Sequence, residues 1–385
     1  MPLSPVLRTL SELVRINSVN SFYESGPGEA ELAAWVRRYF QDRHFETWEQ
    51  EVFPGRSNVI IRLPGRRSTH RLILEAHMDT VSVQGMAIPP FEPRLEGGKL
   101  YGRGSCDTKA GLAAMMEAVA SLKAEGAVPP CEVWLAAVVD EEYSYRGVVK
   151  LCEGLSARAA IVAEPTELRA VIASKGVLRW RIVVKGKAAH SSKPHLGRNA
   201  VVDMAKLIVE LENDHASLIA KQHPLLGPAT CNIGVINGGV QVNFVPDLCA
   251  IELDRRLLPG ERAEGVLAHY HRLIGEIEIR IPGLKAEIEP PMLVDEALDT
   301  PHEAPVAQAA AAVLSSLGLN GELCGVPYGS DASKLSRAGI PSIVFGPGSI
   351  DQAHAAVEYV EIDQVETAVE FYRKFLMAFE PDMQS

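Results

Sequence analysis

Apolar runs that stop abruptly at polar clusters alternate along this chain with stretches of helical spacing. The runs at 59–63, 72–74, 133–139, 159–163 and 342–345 are apolar almost throughout, which suits strands covered on both faces. Between them, apolar residues recur every three or four positions. That spacing predicts helices over 29–40 (Leu32, Val36, Tyr39 and Phe40 on one face), 109–124, around 148–151, 303–317 and 364–379. Ser4-Pro5 suits an N-cap and first helical position for a further helix through Leu10 and Val14. Strands separated by helices predict an α/β fold with a doubly wound mixed sheet.

From about residue 174 to 290 the texture changes. Leu178, Trp180, Ile182 and Val184 alternate with Arg179 and Arg181, the pattern of a strand with one wet face. Residues 198–211 and 261–277 read as helices, and 231–236 and 248–253 as strands. The expectation is an inserted α+β domain over 174–290, one sheet with two helices on one face. The outer domain is then split into 1–173 and 291–385, joined to the insertion by short hinges. No internal repeat or low-complexity linker interrupts this reading.

A chain of 385 residues exceeds the size at which one core usually stops growing, so two domains are expected on length alone. The net charge of −11 argues against nucleic acid or an anionic membrane as partner. No apolar run approaches the ~20 residues that cross a bilayer. The start, Met1-Pro2-Leu3-Ser4-Pro5, lacks a basic region followed by an apolar stretch, so a secretory leader is not expected. Six scattered cysteines without a Cys-x-x-Cys suit reduced thiols and a cytoplasmic location. Cys131 and Cys249 lie in or beside apolar runs and read as packing.

Chemistry concentrates where the apolar runs stop. Residues 72–74 lead through Glu75-Ala76 into His77-Met78-Asp79. A glycine-rich turn, Gly102-Arg103-Gly104-Ser105-Cys106, delivers Asp107. The run at 133–139 stops at Asp140-Glu141-Glu142, that at 159–163 at Glu164, and Ala353-His354 follows a turn at 346–349. In open α/β sheets, ligands sit outside the carboxyl ends of the strands. A single His-x-Asp is commonly just a hydrogen-bonded pair, and a Glu-Glu pair a solvated surface. A glutamate pair that ends an apolar strand, however, needs a cationic partner to offset desolvation. Imidazoles and carboxylates without thiolates suit borderline metals such as zinc, and Asp107 has two oxygens with which to bridge a pair. The Gly-x-Ser-x-Gly elbow of serine hydrolases is absent, and Gly102-x-Gly104 carries Asp107 where a dinucleotide fingerprint needs its third glycine.

Ala76-His77-Met78-Asp79-Thr80-Val81, Gly102-Arg103-Gly104 through Asp107-Thr108-Lys109, Asp140-Glu141-Glu142, Ala163-Glu164-Pro165 and Gln352-Ala353-His354 together resemble the dinuclear zinc deacylases and peptidases. That family includes acetylornithine deacetylase, succinyl-diaminopimelate desuccinylase, aminoacylase and glutamate carboxypeptidase. The motifs occur in the family's order across nearly the whole chain. The resemblance implies two zinc ions, with cobalt or manganese as substitutes. His77, Asp107 and Glu164 would hold one, and Glu142, His354 and the bridging Asp107 the other. It implies that Asp79 orients His77 and that Glu141 is the general base. It also implies that the insertion is a ferredoxin-like lid and dimerisation domain.

Within that insertion, Gly186-Lys187-Ala188-Ala189-His190-Ser191-Ser192 resembles the family's lid segment, whose histidine reaches a substrate carbonyl across a homodimer interface. Asn243 resembles a second polar contact to substrate. Arg256 resembles a clamp for a substrate carboxylate, a task suited to its planar fork, while Arg255 reads as a solvated charge. Ser330, in Gly329-Ser330-Asp331, resembles a loop lining the pocket. Asp140, Tyr143-Ser144-Tyr145-Arg146 and Val357 depart from the family's usual residues without removing a ligand. The activity implied is hydrolysis of an N-acyl-amino acid, as in acetylornithine deacetylase. A dipeptidase or carboxypeptidase acting on a small peptide is the alternative, and a non-catalytic binding protein on the same fold is the reading from another class.

Overall fold

The computed structural model describes residues 3–381; Met1, Pro2 and residues 382–385, which belong to the outer domain and leader readings above, lie outside them. The chain divides into two compact units, Met1–Ile172 with Thr300–Cys324 and Ser330–Ser385, and Ala173–Asp299 with Gly325–Gly329. Helices α1 (Pro5–Arg15) and α2 (Ala30–Gln41) precede strands β1 (Glu46–Phe53), β2 (Arg56–Leu63) and β3 (Arg67–His77). Helix α3 (Lys109–Ala124), strand β4 (Cys131–Val138), helix α4 (Arg146–Cys152) and strand β5 (Ala159–Val162) follow. The second unit holds β6 (Gly176–Lys185), α5 (Ala200–His215), β7 (Thr230–Gly238), β8 (Leu248–Leu257), α6 (Ala263–Arg280) and β9 (Ala286–Ile288). The first unit resumes with α7 (Pro305–Ser316), α8 (Ala332–Arg337), β10 (Ser342–Val344) and α9 (Ile362–Ala378).

In the first unit the strands lie in the order β1-β2-β4-β3-β5-β10. Strand β3 runs parallel to both β4 and β5, and β10 runs parallel to β5. Strands β1 and β2 are antiparallel to their neighbours, so the sheet is mixed, as the sequence predicts. Leu72, Leu74 and Ala76 point into a core shared with Leu10 and Leu13 of α1, Met115 of α3 and Phe371 and Phe375 of α9. Helices α4 and α8 pack on the opposite face, where Val148, Leu151 and Leu335 are buried. Burial on both faces is why β3, β4 and β5 carry unbroken apolar runs. Among the described residues, no helix is long and apolar enough to cross a membrane.

The register puts the carboxyl ends of three parallel strands side by side: His77 lies opposite Val138 of β4, and Glu75 opposite Val162 of β5. Polar residues that follow these strands therefore emerge along one edge. Helix α3 reaches that edge because Gly111 lets its first turn approach β5's end; a Cβ there would lie 2.6 Å from Ala163 Cβ.

The second unit is an antiparallel sheet in the order β7-β8-β6-β9. Met204, Leu207 and Leu211 of α5 and Tyr270, Ile274 and Ile277 of α6 cover its Leu178, Trp180, Ile182 and Val184. The other face carries ion pairs such as Arg179 with Asp254 at 2.7 Å. One expectation fails here. Arg255 is not a solvated charge: it is 2% exposed and held by both carboxylate oxygens of Glu261 at 2.9 and 3.1 Å. The reason is the two-residue period of β8, which places Arg255 on the same face as the buried Ile251, Leu253 and Leu257.

Gly111→Ala forces a methyl group into a close-packed contact. It is expected to destabilise the protein by about 1–3 kcal/mol, read as a lower urea midpoint with an unchanged slope.

Candidate active site

Each polar stop of the first unit arrives at the same edge of the sheet. His77 ends β3, Glu141 and Glu142 follow β4, Glu164 follows β5, and Asp107 precedes α3 across a cis Asp107–Thr108 peptide. His354 lies in the loop between β10 and α9, close enough to join them. Asp107 offers one oxygen to each imidazole: Oδ1 lies 3.1 Å from His77 Nε2 and Oδ2 lies 3.3 Å from His354 Nε2. His354 Nε2 also meets Glu142 Oε1 at 3.0 Å. One potential ligand atom from each of His77, Asp107 and Glu142 falls within 4.8 Å of the others, and so does one from each of His77, Glu141 and Glu164.

The electrostatics of this cluster call for positive charge. Burial raises the carboxyls of Glu164 and Glu142, and the nearby Asp107 carboxylate raises them further. Burial likewise lifts Glu141 well above the ordinary range, with Asp331 and Glu142 adding to it against the pull of His77. Asp107 goes the other way. Burial opposes ionisation, yet hydrogen bonds with His354 and His77 hold it below the usual carboxylate range. His354, between Asp107 and Glu142, is pushed up to about 10. His77 is held high by Asp107 and Asp79 in spite of its burial. Protonated imidazoles thus supply the charge that the carboxylates require. A cation bound to the same nitrogen and oxygen atoms would supply it with release of those protons. The donor set, imidazole and carboxylate without thiolate, fits a borderline dication.

The positions of these side chains are set by contacts that spacing does not reveal. The Asp79 carboxylate accepts the backbone N–H of Glu141 at Oδ1 (3.1 Å) and of Glu142 at Oδ2 (3.0 Å). It stands 3.6 Å from His77 Nδ1, whose nearer partner is the Asp79 backbone carbonyl at 3.0 Å. Glu358, four residues beyond His354, accepts the N–H groups of Cys106 and Asp107 at 2.9 and 3.1 Å. Its other oxygen binds Arg103 at 2.6 Å, and Arg103 also donates to the Ser82 carbonyl at 3.0 Å. This fully buried pair ties the Asp107 turn to the segment that carries His354. Its only trace in the sequence is a lone acid between Val357 and Val360. Glu75 and Asp331 add two further buried carboxyls, with Asp331 raised to about 7 mainly by burial. Glu75 points to the same side of β3 as His77.

The remaining sequence candidates fall into two groups. Ser330, in the first unit, is buried, and its Oγ has no hydrogen-bond partner among the described residues. His190, Asn243 and Arg256 belong to the second unit. There the Ala189–His190 strand pairs with Phe244–Val245, and the Asn243 carbonyl accepts the Ser191 N–H at 3.0 Å. His190 and Asn243 are thereby brought together on an exposed hairpin-like ledge. Arg256 Nε donates to Asp254 Oδ1 at 2.8 Å.

Comparison with known proteins agrees with this geometry. The model of "Peptidase family M20/M25/M40" matches residues 73–378. Acetylornithine deacetylase of Myxococcus xanthus is 33% identical over 375 residues, 94% of either chain. A peptidase M20 domain-containing protein of Schizosaccharomyces pombe is 30% identical, over 91% of this chain and 80% of its own. In fold, the chain is similar to a tripeptidase of Staphylococcus aureus, with a TM-score of 0.81, 23% identity and 97% of both chains covered.

Arg103→Met leaves Glu358 buried without its cation. The loss of one partner of such a pair commonly costs about 3–5 kcal/mol, so the substitution is expected to lower the unfolding free energy by that amount in a denaturant titration.

Proposed function

The chain belongs to peptidase family M20/M25/M40, metal-dependent hydrolases of amide bonds, and from that premise we propose that it removes the acyl group from an N-acyl-amino acid. The observation that carries the reading is the 33% identity to an acetylornithine deacetylase over 94% of both chains, joined to the cluster around Asp107. Zinc is the proposed metal, two ions per chain, with cobalt or manganese able to substitute. His77, Asp107 and Glu164 would hold one ion and Glu142, His354 and the shared Asp107 the other. Bound there, the pair would lower the pKa of a water from ~15.7 to near 7 and polarise the substrate carbonyl.

The chain's own residues do the rest. Glu141 takes a proton from the attacking water as the new C–O bond forms. It returns that proton to the amine nitrogen as the C–N bond breaks, and the water's second proton follows it to the same amine, leaving a carboxylate and a free amino acid with its ammonium group. Asp79 holds the Glu141 and Glu142 amides, and successive side chains diverge, so one glutamate serves the water while its neighbour serves as ligand. In the second unit, His190 Nδ1 accepts the Ser192 N–H at 3.1 Å. That contact leaves the ring proton on Nε2, ready to donate to a carbonyl oxygen. Arg256 would pair with the substrate carboxylate and Asn243 would be a second polar contact to substrate from the same unit.

We assign the active species as a cytoplasmic homodimer joined through the second unit. Support comes from β7, an edge strand with Val235 and Ile236 exposed, followed by exposed Val240, Val242 and Phe244. Bare apolar edges of this kind are seldom left uncovered. A peptidase acting on a small peptide is the second reading, favoured by the 30% identity to a peptidase M20 domain-containing protein over 91% of this chain. Turnover of N-acetylornithine and other acetylated amino acids beside a dipeptide panel separates them. Cleavage of the dipeptides alone would reject deacylation.

Glu141→Ala is expected to lower kcat by ~10²–10⁴ while elemental analysis finds wild-type zinc. Loss of zinc would reassign Glu141 as a ligand. His190→Ala is expected to lower kcat by about 10²–10³, and mixing it with Glu141→Ala protein to restore activity in the mixed dimers. Absence of rescue in verified mixed dimers would argue for action of His190 in cis or for a structural role.

A further inference from the structure

Asn20 lies in the loop between α1 and α2, far in sequence from every candidate ligand, and is fully buried. Its side-chain amide donates to two carboxylates, Asp79 Oδ2 at 2.8 Å and Asp140 Oδ1 at 2.9 Å. Its own oxygen accepts the Phe22 N–H at 3.1 Å, which fixes which way the amide faces. The backbone is pinned as well: Asn20 N–H donates to the Thr80 carbonyl, and Thr80 N–H to the Ser18 carbonyl.

Both carboxylates act on the turn that carries Glu141 and Glu142. Asp79 accepts the two glutamate amides. Asp140 begins the turn at φ +70°, a conformation that non-glycine residues seldom adopt. It is held there from several sides. Its N–H donates to Glu29 Oε1 at 3.1 Å, and its carbonyl accepts the Tyr145 N–H at 2.7 Å. Its carboxylate takes the Ser144 hydroxyl and, at 3.3 Å, Arg56 Nη2. Arg56 is in turn clamped by Glu29 through two contacts of 2.6 Å. Arg56 satisfies the Asp140 side of this network. Among the described residues, Asn20 alone spans from that side to Asp79, presenting N–H groups to two buried carboxyl groups.

We propose that Asn20 is a positioning residue for Glu141: by bridging Asp79 to Asp140 it sets where the turn places the proton-accepting carboxylate. The assignment rests on the amide-hydrolase reading for its catalytic consequence, but its structural half can be measured without turnover. Asn20→Asp keeps the shape and replaces the two N–H donors with a third anion. Asn20→Ala removes the bridge without adding charge.

The test uses zinc-loaded full-length protein and both variants, with steady-state kinetics on an acetylated amino acid, zinc content, thermal midpoint and hydrogen exchange. The expected result is a kcat lower by about 10- to 100-fold, the range usual for groups that orient a ligand shell, with KM and bound zinc at wild-type levels. The amides of Glu141 and Glu142 are expected to exchange faster, while those of β6 and β8 keep their wild-type rates. Wild-type kcat in either folded variant would overturn the proposal, as would a kcat that falls only in proportion to lost zinc. If the wild-type protein cleaves no substrate, the hydrolase reading fails and exchange alone decides. Faster exchange at the two glutamates then upholds the bridge, and unchanged exchange rejects it.

Discussion

One carboxylate shared between two imidazoles organises the first unit of this protein. Asp107 meets His77 with one oxygen and His354 with the other, and these residues come from opposite ends of the chain. For the three to meet, β3 must end beside β4 and β5, α3 must start within reach of that edge, and the loop after β10 must return over it. The small residue at Gly111 and the buried Arg103–Glu358 pair answer the second and third demands. Other groups at the edge then inherit the same excess of negative charge. Burial first, and that excess after it, raises Glu141, Glu142 and Glu164, while hydrogen bonds with the neighbouring carboxylates lift both imidazoles. A site of this kind is polarised towards a cation before any cation arrives.

The support beneath the cluster is as polar as the cluster itself. Asp79 spends its oxygens on the amides that follow β4, so the aspartate beside His77 governs the glutamate turn at least as much as the imidazole. Behind it, Asn20, Asp140, Arg56 and Glu29 form a continuous buried network. Networks of this type are costly when a single partner is missing, which makes their geometry hard to relax. Rigidity of that sort is what a general base needs, because proton transfer requires hydrogen-bond reach at the moment of reaction.

Much of this was legible in the chain. Unbroken apolar runs marked β3, β4, β5 and β10 because each is buried on both faces, and the change to alternation at Leu178 marked the second unit's sheet. The polar stops pointed to His77, Glu141, Glu142 and Glu164 because parallel strands deliver their ends to one edge, while Asp107 and His354 were marked by the glycine-containing turns that precede them. Other features left no periodic trace. Strand β1 reads Glu46-Thr47-Trp48-Glu49-Gln50-Glu51, too polar to register as a strand, since it lies at the sheet's edge. Asn20 and Glu358 are single polar residues in irregular segments, and their meaning comes from partners more than fifty residues away. Arg255 stands in a run of charged residues, Asp254-Arg255-Arg256, which reads as solvated. Counting by twos from Ile251 would have placed it inside.

The proposed function requires that Asp107 be shared by two metal ions. Crystals of the zinc-loaded protein, measured at the zinc absorption edge, test it most directly. The expected result is two anomalous peaks per chain, one on either side of the Asp107 carboxylate, the first beside His77 and Glu164 and the second beside Glu142 and His354. Peaks elsewhere, or none within bonding distance of Asp107, would contradict it.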